Sequence, residues 1–435
     1  MANLHKLINM KISKATLTFI YSFLPIIDEM TYDPNILKMF VESKIADKKN
    51  EGTKPSGEGK IINRRGLSSY LALNIEMGYD IDYEFKAFLS NDPSIKLTIQ
   101  PLFRFYTFGC SLTFHVTCFR ENGLINHEDV YKVLQIISTE ENNNASQTFI
   151  LDDEIINNRT HEYSLYKFFK YRLKEKIERV NRENNVDIKL LCLSENIITE
   201  SSLYESSVPW VITTIETEDK DILDSVCFSS NDFKRSEAVH EKLNRIAKYE
   251  KFIAPLLYRA IDQNFDSYKI EPSYDSFSLD PISTGLYNMY IDARFYLHMS
   301  RRSIFTLCNS LNEKPASYLL PTLFDINEIC HTRWQSLIVL NMILDKYIRK
   351  FSNHVIDTFT PKEKLTIIIK LMKKTLAGLD DPMSYVISGD SLREFYERLV
   401  ESYKLKIIED NAIKKVNMLN SLYRLGLELD ISDLY

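Results

Sequence analysis

An α+β fold is predicted for this 435-residue chain, and three observations predict it. The first half interleaves short runs of β-branched and aromatic residues with helix signals, whereas from about Ser229 apolar residues recur at steps of three and four almost without a break. Glycine is scarce, with 11 in the whole chain, roughly a third of the usual ~7%. That scarcity suits long helices with short joints. The expected architecture is an N-terminal, mainly antiparallel sheet with covering helices over 1–228, followed by a C-terminal bundle of long helices over 229–435.

Taken in chain order, the first apolar stretch is Leu17 to Ile27, preceded by Lys11 and Lys14. It imitates a signal peptide, but Asp28-Glu29 follows where a small-x-small cleavage site belongs. Asp47 to Lys60 holds three glycines and no apolar side chain, so a flexible loop is expected over about 47–60. Ile95 to Tyr106 and Ser111 to Phe119 read as strands of an antiparallel hairpin across the short Thr107-Phe-Gly109 link. Asn126 is placed to cap a helix, with Asp129 three residues on and Val130, Val133, Leu134 and Ile137 as its apolar face. A second helix is expected from Ser164, with a stripe of Leu165, Phe169, Leu173, Ile177 and Val180. Val186 to Leu193 and Val208 to Glu216 are further strands. Helices are then expected at about 235–265, 282–311, 317–353, 361–377 and 390–425. The last is either one long amphipathic helix or two helices broken near Glu409-Asp410, able to pack in a bundle or on a second copy.

Composition narrows the function classes. Fifty-four basic against 60 acidic residues give a formal charge of −6, which is solubility charge rather than a nucleic-acid footprint, so no DNA binding is indicated. Six cysteines lie scattered with no CxxC pair, as in a reducing cytosol. The apolar runs Ser336 to Leu344 and Leu365 to Ile369 fall far short of the ~20 residues that span a bilayer. A soluble, cytoplasmic protein without a membrane span is expected.

The tests for chemistry run mostly negative. Gly52 and Gly57 have Walker A spacing, but Glu58 stands where the lysine belongs, and Gly57-Glu-Gly59 lacks the third glycine of a dinucleotide fingerprint. Asp80, Asp82, Glu84 and Lys86 alternate as a metal-dependent nuclease cluster would, and equally as a solvated edge strand would. Cys330-His331 needs His298, Cys308 or His354 folded against it to hold a metal, and a packed core cysteine beside a histidine accounts for it more simply. No metal or cofactor is called for.

Two basic constellations remain. Arg349 and His354, an R-x4-H pair at the end of a long helix, resemble the site of HEPN-type ribonucleases. That resemblance implies a metal-independent RNA-cleaving effector in which the arginine steadies a phosphate and the histidine moves a proton. Lys350 departs from the small or acidic residue usual after the arginine, and a helix-terminal arginine followed by a capping-region histidine explains the pair equally. Arg294, His298, Arg301 and Arg302, on a helix at i, i+4, i+7 and i+8, would share one face and form a site for a phosphate-bearing ligand or an acidic partner. An internal salt-bridge network with Asp292 is the blander reading.

The order of features also resembles the cytoplasmic part of CorA-like proteins. The residues that carry the likeness are Phe105-Tyr-Thr-Phe-Gly109, Pro209-Trp-Val211, Tyr290-Ile-Asp-Ala-Arg294 and the long helix from Trp334 to Phe351. The sequence has no Gly-Met-Asn motif and no hydrophobic span after the last helix. The resemblance therefore implies a relative without a channel, which keeps the sensing or assembly domain and self-associates. Its expected place is as a sensor or accessory protein in a bacterial stress or phage-defence system.

Overall fold

The structure, a computed structural model, describes residues 12–27, 85–136, 147–152, 161–165, 188–191, 210–220, 276–278, 295–300, 303–308, 316–352, 363–372 and 393–432, a few positions within these excepted, and scattered residues between 168 and 223. The expected α+β class holds. A ten-stranded sheet runs in the order β5-β2-β3-β4-β1-β7-β10-β9-β8, with β6 paired to the end of β1. The strands are β1 (Ile12–Ile27), β2 (Phe85–Leu89), β3 (Asp92–Tyr106), β4 (Gly109–Arg120), β5 (Phe149–Leu151), β6 (Ile188–Leu191), β7 (Trp210–Thr217), β8 (Ser276–Ser278), β9 (Phe295–Ser300) and β10 (Ser303–Cys308). Every described neighbour pair is antiparallel except β7 with β10.

The apolar stretch that imitated a leader is the 16-residue strand β1 at the middle of the sheet. Its alternation explains the placement. Leu17, Phe19 and Tyr21 pair with Val116, Phe114 and Leu112 of β4 on one face, and all six are buried. The expected hairpin is present as β3 and β4, which pair along their length with Tyr106 opposite Gly109.

The apolar face is covered by helix α1 (His127–Leu134) and by the segment from Leu165. Asn126 caps α1 as expected: its side chain accepts from the Asp129 backbone N–H at 3.0 Å, while the Asp129 carboxylate accepts from the Asn126 N–H at 3.1 Å. Asp129 is buried and also receives Arg120 through both carboxylate oxygens, at 2.9 and 2.7 Å, so the cap is tied to the sheet. Residues 165, 168, 178 and 181–183 are helical. Among the described side chains here the anchor is Phe168, while the expected stripe members Phe169, Leu173, Ile177 and Val180 lie outside the described residues. The Phe168 ring meets Phe85, Phe149, Tyr163 and Phe114 at 5.2 to 6.1 Å.

Helix α2 (Ala316–Ser352) matches the helix expected at 317–353. Residues 363, 365–370 and 372 are helical, as are described positions from 393 to 401. The final segment is two helices, broken at Tyr403-Lys404 rather than near Glu409-Asp410. Lys404 has φ 53°, a left-handed conformation that ends one helix and redirects the chain, and α3 (Leu405–Ser432) follows without interruption.

One expectation is overturned. Instead of a helix over 282–311, the described residues there form β9 and β10, an antiparallel pair that joins the sheet through β7. The runs Phe295 to Ser300 and Ser303 to Cys308 are short and rich in aromatic and β-branched residues, and pairing with the open edge of β7 satisfies their backbone in a way a local helix cannot. Three strands therefore reach the sheet from beyond residue 228. The expected helix at 235–265 and the loop at about 47–60 lie outside the described residues. Among the described residues no helix is long and apolar enough to cross a membrane.

The β3 to α1 corner carries a testable charge cluster. Asp92 accepts from Ser94 at 2.5 Å, Lys132 at 3.0 Å and Arg120 at 3.2 Å, and the Ser94 bond, followed by that of Lys132, holds its carboxyl down at about 2. A pKa depressed by folding stabilises above the unfolded value of ~3.9 and loses that contribution as pH falls towards 2. Asp92→Asn should therefore cost ~1 kcal/mol at pH 7. In urea melts the gap to wild type should narrow as pH falls below about 4 and close only below pH 2.

Candidate functional site

The functional candidates of the described chain converge on the opposite face of the sheet, under α2. The middle of α2 reads Asp325-Ile-Asn-Glu-Ile-Cys-His-Thr-Arg-Trp, a polar block inside a 37-residue helix. Asp325, Asn327, Glu328, His331, Thr332 and Arg333 are all buried. They are buried because α2 is covered on two sides, by β1 and β4 of the sheet and by α3.

Towards the sheet, the partners are serines. Ser22 of β1 and Ser111 of β4 are paired in register, so both project to the α2 side. Ser22 Oγ shares hydrogen bonds with His331 Nδ1 at 3.0 Å and Thr332 Oγ1 at 3.1 Å, and Ser111 Oγ donates to Glu328 Oε1 at 2.6 Å. One turn of α2 is thereby fixed on two adjacent strands. The His331 ring lies between Trp210, Trp334 and Tyr403, with centroids 6.1, 5.8 and 6.2 Å away.

Towards the C-terminal helices, Arg333 Nη2 meets Glu409 Oε1 at 2.6 Å and Nη1 donates to the Tyr396 hydroxyl at 3.2 Å. Asn341 donates to the backbone carbonyls of Leu337 and Ile408, at 2.9 and 3.1 Å. Lys415 reaches Asp345 at 2.7 Å and the Asn341 carbonyl at 3.3 Å. Leu399, Tyr403, Leu405, Ala412, Val416 and Leu419 supply the apolar part of this contact. Each such burial contributes about 1.5 to 3 kcal/mol for the larger side chains.

A hydroxyl bonded to an imidazole is the pairing that activates a serine nucleophile. Here both partners are closed off from solvent: Ser22 is 1% and His331 3% exposed. In this conformation the arrangement orients a helix rather than meets a substrate. Cys330 is buried next to it, and no group of three His, Cys, Asp or Glu suited to a metal occurs among the described residues. The Cys118 thiol, under α1 on the other face, is pushed up to about 12 by burial and is held as a neutral core side chain.

The sequence-predicted residues fall elsewhere. Arg349 is exposed near the end of α2, while His354 lies outside the described residues. His298 is on β9, so Arg294, His298, Arg301 and Arg302 do not share a helical face. Arg294, Arg301 and Arg302 are outside the described residues. Lys86 is exposed on β2, and Asp80, Asp82 and Glu84 are outside the described residues. Sequence reasoning passed over Ser22, Ser111, Glu328, Arg333, Tyr396, Tyr403 and Glu409. The available signal was the polar block within an otherwise apolar helix.

No family model matches this chain, and neither a curated protein nor a solved structure matches it.

The Arg333–Glu409 pair gives a direct test of the contact between α2 and α3. Arg333 is 4% exposed and Glu409 20%. Removing one partner leaves a largely buried charge unpaired, so Glu409→Ala should cost about 3 kcal/mol in chemical denaturation. Arg333→Met, which removes the buried charge itself, should cost less.

Proposed function

We propose that this chain is a self-associating binding protein that acts as a sensor or accessory component. In plan it is built like the cytoplasmic part of CorA-like proteins without the channel, and it works by assembly rather than by turnover. The observation that supports this is an apolar row left on the outside. In the helical residues from 363 to 372, Ile367 and Ile368 are buried, while Leu365, Ile369 and Met372 are 40, 43 and 36% exposed. Steps of four and three put the latter on one line of the helix. A helix apolar on both faces is normally covered on both.

The last helix repeats the pattern. Ile407, Met418 and Leu425 of α3 are exposed, and steps of 11 and 7 residues return to the same line within ~20°. Its opposite side, through Ala412, Val416 and Leu419, is buried. Large side chains lined up in water mark contact surfaces rather than isolated exceptions. A second copy supplies an identical row, and paired rows bury both.

Light scattering on the full chain should therefore give a mass of at least twice 50.9 kDa. Ile369→Glu combined with Met372→Glu should reduce that mass towards one chain while leaving the circular dichroism melt unchanged. A strict monomer across micromolar concentrations would remove the proposal.

A further inference from the structure

We infer that the open end of the sheet's polar face is a binding surface for single-stranded RNA, built from the rings of Phe88 and Phe119 and the lysines Lys14, Lys86 and Lys96. The register gathers them. Lys86 of β2 pairs with Thr98 of β3, Phe88 pairs with Lys96, and Lys96 pairs with Phe119 of β4. Phe119 and Lys14 each stand two residues beyond the Thr16–Thr117 pair, so Lys14 of β1 closes the same row. Because neighbours in register share a face, the five side chains project to one side of β1 to β4, away from the buried Leu97, Cys118 and Ala15.

This end of the face meets water. Lys86 is exposed, Phe119 is 40% exposed, and Phe88, Lys96, Thr98 and Thr117 are half-buried. Helix α2 sits at the other end, since Ser111, its contact through Glu328, stands ~27 Å from Phe119 along β4 at the ~3.4 Å rise of an extended strand. The charge here has one sign. The one acidic residue of β1 to β4 is Asp92, and it is taken by Arg120 and Lys132 at the α1 corner. Glu216 of β7 faces Lys14 at 3.6 Å and offsets that lysine, which leaves the patch net positive within a chain whose total is −6. The total averages over this local excess, and an electrostatic footprint belongs to one face.

The ligand class follows from rings set among lysines on an open sheet, which needs no cavity. An aromatic side chain stacks on any unpaired base, and neighbouring cations hold the backbone. Phe88 and Phe119 are two strand intervals apart, ~10 Å. Between them stands Lys96, its ammonium 5.3 Å from the centre of the Phe88 ring, which sets a cation where the phosphate of a stacked nucleotide would pass. A duplex keeps its base faces covered and offers these rings nothing to stack on. RNA is favoured over DNA by the adjacent row, where Thr98, Thr117 and Thr16 lie side by side. Each of their hydroxyls donates and accepts, as does the ribose 2′-OH that DNA lacks. An acidic peptide would meet the lysines and leave the rings without flat partners.

Fluorescence anisotropy on the full chain tests this, with labelled oligo(rU) and oligo(rA) of ~15 nucleotides, the matching DNA strands, an RNA duplex and poly-L-glutamate as probes. A single-stranded RNA should bind, with a log–log salt slope of about −2, as three lysines give at ~0.7 each. Phe119→Ala should weaken binding about tenfold, and Phe119→Trp, which keeps a ring, should hold it within a few-fold. Lys86→Gln should weaken binding less and reduce the slope by ~0.7; as a change at an exposed lysine it serves if Phe119→Ala folds poorly. Absence of binding to both RNA strands at low salt, or DNA, duplex or polyglutamate bound as tightly as they are, would overturn the inference. So would RNA binding untouched by Phe119→Ala and Lys86→Gln. None of these outcomes depends on the mass of the assembly.

Discussion

Ser22 and Ser111 stand opposite each other on neighbouring strands, and their hydrogen bonds to His331, Thr332 and Glu328 decide where the longest helix lies. Hydrophobic burial is not directional and would let α2 slide or rotate over the sheet. Polar bonds at 2.6 to 3.1 Å remove that freedom, because a small shift breaks directional bonds to a buried carboxylate and a buried imidazole. Once α2 is fixed, Arg333 and Asn341 have defined places for Glu409, Tyr396 and the Ile408 carbonyl, so the C-terminal helices follow from the same contact. The seam is not fully satisfied, since Asn327 Nδ2 and Gln335 Oε1 are buried with no partner.

The two faces of the sheet divide the work. One face is apolar and closed by α1 and the aromatic cluster around Phe168. The other mixes serine and threonine hydroxyls with the buried Ile20, Trp210 and Ile212, closed by α2 at the Ser22 end and more open at the Thr98 end. A central strand with alternating chemistry permits this, and β1 has it: Leu17, Phe19 and Tyr21 face one way, Thr16, Thr18 and Ser22 the other.

Local signals were readable in the sequence where the chain decides its own structure. The Asn126-Asp129 cap, the β3 to β4 hairpin and the long helix at 317–353 all depend on residues near one another, and all are present. The segment at 282–311 was misread because its strands owe their existence to β7, a partner distant in sequence. Leu17 to Ile27 was opaque for the same reason, since its place between β4 and β7 is set by partners about 100 and 200 residues away. The seam was hidden in part. The polar block of α2 is visible in the sequence, but Ser22 and Ser111 carry no local mark that sets them apart from surface serines.

The dependence of the fold on the sheet-to-helix contact is tested most directly by a double-mutant cycle between Ser111→Ala and Glu328→Gln, read by chemical denaturation of the full chain. The account expects the two losses to be non-additive, with a coupling of at least ~1 kcal/mol between residues in contact. Additivity within ~0.3 kcal/mol would contradict it, because α2 would then be held on the sheet without that bond.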